Sequence, residues 1–242
     1  MNYSIILCEG ETDRDLIGCY MESVYNWKFC QTRFDNPFPN EKINWYIDND
    51  TNIKGIWSVG GNSFSESVKK IIVREKYEHM IDKVAIITDH DDVEEAEINR
   101  LDDIKKAISS VCNKKIDEIK LSKNQWEKNV LINDFSVDEI EILYLLVPFD
   151  EIGALETFMM NAIAEQSDDK EYVITKAKEF VNNFESSTYL TKRREKIKAE
   201  LGVSLSVFSP DRILTTMKEL IDSVRWSDFS ISHEQFKLLN QC

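Results

Sequence analysis

The sequence predicts an α/β protein in which a mostly parallel sheet is flanked by helices and followed by an all-helical segment. Short apolar runs typical of buried strands alternate with amphipathic stretches typical of helices. Acids or glycines directly follow three of these runs, and beyond about residue 153 the strand pattern stops. We therefore expect an α/β domain at residues 1–150 and a helical C-terminal extension, residues 151–242, packed on it.

The strands are predicted from runs rich in Ile, Leu and Val, at residues 3–8, 53–59, 83–89 and 141–147. The helices between them are predicted from apolar spacing, at residues 11–26, 63–76 and 96–111. Ser63 or Ser65 is a candidate N-cap for the second helix. Residues 31–52 contain two prolines and read as a loop with one short strand at 43–47.

The C-terminal part reads as helices only. The amphipathic stretches lie at residues 154–166, 170–184, 187–201 and 211–224. Ser209 followed by Pro210 is a typical start for the last of them. No repeat or low-complexity linker separates these helices from the α/β part.

Composition and charge exclude several classes of protein. The chain has 30 basic and 44 acidic residues, a net charge of −14, which argues against non-specific nucleic-acid binding by the whole surface but leaves room for a local basic groove. No apolar stretch approaches the length of a membrane span, and the N-terminus lacks the features of a signal peptide. Five cysteines without a C-x-x-C pair predict reduced thiols in a cytoplasmic protein, and three scattered histidines argue against zinc.

Acids follow two of the predicted strands. Glu9 comes directly after residues 3–8, and Asp89 and Asp91 lie at the end of residues 83–89. Because the carboxyl ends of parallel strands meet at one edge, these carboxylates should converge there. Converging carboxylates repel one another unless a cation lies among them, and hard oxygen ligands suit Mg²⁺ or Mn²⁺. Phosphoryl or phosphodiester transfer is the chemistry that needs such a site.

The ordered set "IILCEGETDRDLI", "SVGGNSF" and "VAIITDHDD" resembles the Toprim domain of topoisomerases, bacterial primases and overcoming-lysogenization-defect nucleases. That pattern is a strand ending in Glu-Gly-x-x-Asp, a glycine turn, and a strand ending in Asp-x-Asp. The chain is too short for the additional domains of a topoisomerase or a primase. The resemblance therefore implies a Toprim-like fold and a Mg²⁺-dependent nuclease acting on DNA or RNA.

The resemblance also implies roles for individual residues. Glu9 would act in proton transfer and bind metal, and Asp89 and Asp91 would hold Mg²⁺ (or Mn²⁺). Asp13 would orient the site or bind the ion, and Asp92 and Glu94 could add a ligand. The glycines that would shape the loops at the site are Gly10, Gly60 and Gly61.

The helical extension of stand-alone Toprim proteins is matched more loosely. Glu156 in "GALE" would reach the metal site from the extension, and a late-helix lysine would assist catalysis. Lys192 is the candidate for that role, and Lys196 is an equally open alternative. The densest basic run of the chain lies here, and a nucleic-acid contact is expected at Arg193, Arg194 and Lys196.

The sequence leaves two other functions open. "DHDDV" fits the nucleophile motif of haloacid-dehalogenase-like phosphatases, but no Gly-Asp follows and Glu9-Gly10 would stay unexplained. A Toprim-like metal- or nucleotide-binding regulator without catalysis is the other alternative, favoured by the acidic charge. A homodimer, a separate ATPase subunit and a role in phage defence are further expectations drawn from the resemblance.

Overall fold

A computed structural model gives the fold of most of the chain. The residues that it describes are 3–30, 36–49, 52–60, 64–78, 81–90, 94–112, 114–132, 137–149, 151–184, 189–210 and 232–242. Within these ranges no helix combines the length and the apolar character needed to cross a membrane. All five cysteines lie in the described part, and each is a buried free thiol.

Strands and helices alternate in the first two thirds of the chain. The strands are β1 (Tyr3–Cys8), β2 (Lys28–Phe29), β3 (Ile43–Ile47), β4 (Ile53–Ser58), β5 (Ile81–Asp89), β6 (Trp126–Ile132) and β7 (Val137–Val147). The helices are α1 (Glu11–Tyr25), α2 (Phe64–Glu78), α3 (Glu94–Cys112), α4 (Leu155–Ala164), α5 (Asp168–Asn182), α6 (Arg193–Phe208) and α7 (Ser232–Asn240). One 3₁₀ turn, Ile116–Glu118, lies between α3 and β6.

The described strands form one seven-stranded sheet in the order β2-β3-β4-β1-β5-β7-β6. The four central strands, β4, β1, β5 and β7, pair in parallel. At the two margins, β3 and β6 run antiparallel to their inner neighbours, and β2 runs antiparallel to β3. The sheet is therefore mixed but mostly parallel, with β1 in the middle and four carboxyl ends at one edge.

Hydrophobic clusters cover both faces of the sheet. Successive residues of a strand point to opposite faces, so Ile6 of β1 joins one cluster and Ile5 the other. The first cluster is completed by residues of α1, α4, α5, α6 and α7, and the second by residues of α2 and α3. The C-terminal helices thus bury their apolar stripes against the same face as α1.

The last described segment is tied to the sheet by polar contacts as well. Phe236 and Leu239 of α7 are fully buried, and the indole N–H of Trp126 donates to the carbonyl of Leu238 at 3.0 Å. The ammonium of Lys54, near the start of β4, donates to the carbonyl of Cys242 and pairs with Asp48 at 3.3 Å. These contacts lie toward the amino ends of the parallel strands and leave the carboxyl ends to other elements.

The predicted fold class is confirmed: the chain is α/β, with a mostly parallel sheet flanked by helices and a helical C-terminal part. The division at residue 150 into two domains stays a prediction. Ser65 lies inside α2, not at its N-cap, and Ser63 lies outside the described residues. The helix predicted at 187–201 begins only at Arg193 and extends to Phe208, and residues 211–224 lie outside the described residues.

Candidate functional site

The ends of β1 and β4 are joined at the carboxyl edge of the sheet. Glu9 follows the last residue of β1, and its carbonyl accepts a hydrogen bond of 2.7 Å from the N–H of Gly60, two residues beyond β4. Gly60 has φ +76°, in the left-handed region where a side chain is strained, so glycine is required for this turn. The motif glycine Gly60 therefore sets the backbone beside Glu9, and Gly61 lies outside the described residues.

The first turn of α1 brings in a second acid. Asp13 folds back so that its Oδ2 accepts a hydrogen bond of 2.7 Å from the N–H of Gly10. This contact satisfies one of the amide groups that a helix start leaves without a partner. A Cβ at position 10 would make an ordinary van der Waals contact of 3.4 Å with the same oxygen, so this geometry does not require glycine there. Asp13 is thus held directly beside the backbone that follows Glu9.

The end of β5 is connected to the start of α4. The N–H of His90, next to Asp89, donates to the carbonyl of Val147 at 3.2 Å, and the His90 carbonyl accepts from Gly153 at 3.0 Å. Two residues after Gly153, α4 begins, and Glu156 lies in its first turn with 6% of the residue exposed. The helical extension therefore delivers a buried carboxylate to the edge at which Asp89 ends its strand.

The charges of Glu9 and Glu156 reach two aspartates of this edge, Asp13 of α1 and Asp89 of β5. Burial raises the pKa of Asp89 to about 8, with further contributions from the charges of Glu9, Asp13 and Glu156. Burial also raises the pKa of Asp13 to about 6, helped by Glu156 and Glu9 and opposed by the Gly10 hydrogen bond and by Arg194. Raised pKa values of this kind mark carboxylates that are buried and lie near other negative charges.

Two cations from the first half of α6 face Glu9 and Glu156. Arg194 Nη1 lies 3.5 Å from Glu9 Oε2, and Lys198 Nζ lies 3.5 Å from Glu156 Oε1. Lys192 instead stands just before α6, where its backbone N–H donates to Glu195 Oε2 at 2.9 Å. No described ion pair joins Lys192 or Lys196 to the four acids.

Part of the predicted site lies outside the described residues. Asp91 and Asp92 belong to that part, and Glu94 begins α3. Among the side chains that are described, no group of three or more His, Cys, Asp or Glu residues is arranged to hold a metal ion. Glu9, Asp13, Asp89 and Glu156 are thus electrostatic neighbours in the described part, and the metal-binding role of each stays a prediction.

A second polar cluster, not predicted from the sequence, surrounds His90, the residue that follows β5. Glu97 of α3 is 2% exposed, and its Oε2 lies 2.5 Å from Lys123 Nζ. Its Oε1 lies 3.7 Å from His90 Nε2 and has no hydrogen-bond partner in the described part of the chain. The other ring nitrogen of His90, Nδ1, donates to the carbonyl of Pro148 at 3.1 Å. This cluster fixes the residue that follows Asp89.

Replacing Gly153 with alanine should disturb the start of α4. The new Cβ would lie 2.9 Å from Pro148 Cδ and from both Cβ and Oγ1 of Thr157. We expect the free energy of unfolding to fall by about 1–3 kcal/mol, as overpacking usually costs. Gly202→Ala is the matched control, because a Cβ there meets nothing within 4 Å and alanine favours a helix by up to about 1 kcal/mol. Equal stabilities of the two variants in urea denaturation would contradict this.

Replacing Lys123 with methionine should cost stability through Glu97. The buried carboxylate would lose its closest cation, and an uncompensated buried charge typically costs about 3 kcal/mol. Lys106→Met is the control, because Lys106 pairs with Asp103 at 3.2 Å on the surface, where a pair contributes roughly 0–1 kcal/mol. Urea denaturation should separate the two variants, and Glu97→Gln in the Lys123→Met background should recover part of the loss.

Comparison with known proteins gives a family and a distant structural likeness. The family described as "Protein of unknown function (DUF3226)" matches residues 3–237. The chain belongs to the DUF3226 family. Among solved structures, this DUF3226 member is similar to a hypothetical protein from Pyrococcus horikoshii OT3, at 14% sequence identity and a TM-score of 0.47, covering 100% of this chain and 99% of that one. No protein with a curated description matches significantly.

Proposed function

We propose that this DUF3226 member is a divalent-cation-dependent nuclease of the Toprim type, which cleaves phosphodiester bonds at the carboxyl edge of its sheet. The observation that supports the proposal is that the charges of Glu9, Asp13 and Glu156, which come from other elements, act on the buried carboxyl of Asp89 at that edge. In open α/β sheets this is the edge at which ligands bind. The order of the motifs along the sequence supports the same assignment.

The chemistry of the four acids fits a hard divalent ion. All their donors are carboxylate oxygens, which suit Mg²⁺ or Mn²⁺ better than softer metals. Glu9 and Asp89 would hold the ion, together with Asp91 and with Asp13 or Glu156 as further ligands. The bound ion would polarise the phosphate and stabilise the leaving oxygen.

Proton transfer and phosphate binding would be carried out by side chains of the protein. Glu9 retains 11% exposure of its side chain, so its carboxylate can reach a solvent molecule or a substrate oxygen and move a proton there. Arg194, beside Glu9, offers a forked cation of the kind that binds phosphate oxygens in pairs. The protein would thus bind the phosphate with α6 and carry out proton transfer from β1.

A local basic surface supports nucleic acid as the substrate despite the charge of −14. The start of α6 carries the densest basic run of the chain: Lys192, Arg193, Arg194, Lys196 and Lys198. Two of these cations lie within 3.5 Å of the acids, so a phosphate backbone held by the run would pass over the acidic edge. Cleavage assays with DNA and with RNA distinguish the two kinds of backbone.

A non-catalytic regulator that binds metal or nucleotide is the second candidate, and the acidic net charge is the observation that favours it.

Five buried free thiols support a cytoplasmic location, where thiols stay reduced. The homodimer, the separate ATPase subunit and phage defence stay predictions.

The test is a cleavage assay with labelled single-stranded DNA, double-stranded DNA and RNA, each with Mg²⁺, Mn²⁺ or EDTA. We expect cleavage of at least one substrate, dependent on the metal and lost in Glu9→Gln. Glu11→Gln is the matched control, because Glu11 lies two residues away but points to Lys42 on the surface. Metal binding without cleavage would favour the regulator, and cleavage that survives Glu9→Gln would refute the proposed site.

A further inference from the structure

The two cations that face the acidic edge belong to one surface of α6. Arg194 and Lys198 are four residues apart, which places them on the same side of the helix. Leu201 and Leu205 bury the later turns of α6, which packs against α4 and α5. The helix is therefore anchored by its C-terminal half and presents its first two turns to the acids.

Each of the two ion pairs joins a half-exposed cation to an acid whose side chain is mostly covered. Arg194 is 53% exposed against 11% for Glu9, and Lys198 is 47% exposed against 8% for Glu156. Both N···O distances are 3.5 Å, long for charge-assisted contacts. Pairs with so much solvent around the cation contribute little stability, so the cations can leave the acids at small cost.

We propose that Arg194 and Lys198 are exchangeable counter-cations, which neutralise Glu9 and Glu156 in the absence of a divalent ion and turn to substrate phosphate when the ion binds. The inference rests on the proposed function and adds an order of binding: the divalent ion binds first and the nucleic acid second. A divalent ion and the α6 cations compete for the same carboxylates, because like charges cannot share them closely. The released side chains of Arg194 and Lys198 can then bind phosphate groups of the nucleic acid.

The proposal requires opposite effects on two ligands. Removing the Arg194 charge takes away a competitor for Glu9, so Mn²⁺ should bind about twofold to fivefold more tightly, as loss of a weak, solvent-exposed pair predicts. The same change removes a phosphate contact, so nucleic acid should bind several-fold more weakly. A residue that merely holds Glu9 in place would instead weaken Mn²⁺ binding when removed.

The experiment measures Mn²⁺ affinity by calorimetry for the wild type, Arg194→Gln, Lys198→Gln and Arg194→Lys. A labelled phosphorothioate oligonucleotide, which resists cleavage, reports nucleic-acid affinity by anisotropy in saturating Mn²⁺. Lys176→Gln is the matched control, because Lys176 pairs with Glu179 on its own helix. Arg194→Lys keeps the charge and should stay near the wild type.

Tighter Mn²⁺ binding together with weaker oligonucleotide binding in both glutamine variants supports the exchange. Unchanged or weaker Mn²⁺ binding in Arg194→Gln, with a wild type that binds Mn²⁺, overturns the exchange and leaves the proposed function standing. An unchanged oligonucleotide affinity overturns it equally. A wild type that binds no Mn²⁺ overturns the proposed function itself, and the exchange with it.

Discussion

Asp89→Asn should raise the stability of the folded protein at pH 8 and, in the same protein, abolish metal-dependent cleavage. Asparagine has nearly the same shape as aspartate but carries no charge into a cluster that already holds Glu9, Asp13 and Glu156. The cost of the crowded charge disappears, and so does a ligand of the proposed metal site. Removal of such a group typically lowers the cleavage rate by at least about 100-fold.

The sign of the stability change follows from proton linkage. The pKa of Asp89 is about 8 in the folded protein, whereas an aspartate in an unfolded chain titrates near pH 4. The stability that the neutral carboxyl provides is therefore fully present at low pH and is lost as pH rises through about 8. The asparagine variant does not lose stability in this way. Its gain in stability over the wild type should therefore be small near pH 4 and larger at pH 8.

The expected gain at pH 8 is on the order of 3 kcal/mol, which corresponds to roughly 5–10 °C in Tm for a chain of this size. Calorimetric melting at pH 5 and pH 8 in EDTA measures it. Asp103→Asn is the control, because Asp103 is exposed in a surface pair with Lys106 and should change stability by less than about 1 kcal/mol. A variant less stable than the wild type at pH 8 would show that Asp89 is not in a crowded cluster.

Divalent-ion affinity should rise steeply between pH 6 and pH 8. Asp89 and Asp13, whose pKa values are about 8 and about 6, must lose their protons before they can act as ligands. The ionised fraction of Asp89 grows about 50-fold over this range and that of Asp13 about twofold, so the affinity should rise on the order of 100-fold.

Calorimetry in two buffers of different ionisation enthalpy measures this directly, because protons released on binding react with the buffer. We expect about one proton released per Mg²⁺ or Mn²⁺ bound at pH 7, and a smaller release in Asp89→Asn. An affinity that does not change between pH 6 and pH 8 would mean that the ion binds to groups other than Asp89 and Asp13.

The central strands could be predicted because they are buried on both faces. Strands β1, β4, β5 and β7 are covered by helices and read as continuous apolar runs. The edge strand β6, with the sequence "WEKNVLI", interrupts its apolar residues with Glu, Lys and Asn and was missed. The two-residue strand β2 and helix α7 were missed as well, because each depends on contacts with distant parts of the chain.

The acids of the candidate site could be predicted where they belong to a motif that begins at a strand end. Glu9, Asp13 and Asp89 are of this kind, and the electrostatic coupling among them agrees with that placement. For Glu156, the prediction depends only on the resemblance of the helical extension to that of stand-alone Toprim proteins. For Arg194 and Lys198, only the folded chain shows which cations of the basic run face the acids.

The position of Glu97 in the sequence indicates that its side chain is buried. It lies four, seven and eleven residues before Leu101, Ile104 and Ile108, on the buried stripe of α3. A glutamate on an apolar stripe must find a partner or be very costly to bury. Its partners, Lys123 and His90, lie in other elements, so the sequence indicates the need for a partner but not its identity.

The central claim is that Glu9 and Asp89 share one divalent ion at the carboxyl edge of the sheet. A crystal of the protein soaked in Mn²⁺ at pH 8 tests it directly through the anomalous signal of manganese. We expect one strong peak within about 2.5 Å of a carboxylate oxygen of both residues, and we expect this peak to be lost in crystals of Asp89→Asn. A peak elsewhere, or none at saturating Mn²⁺, would contradict it.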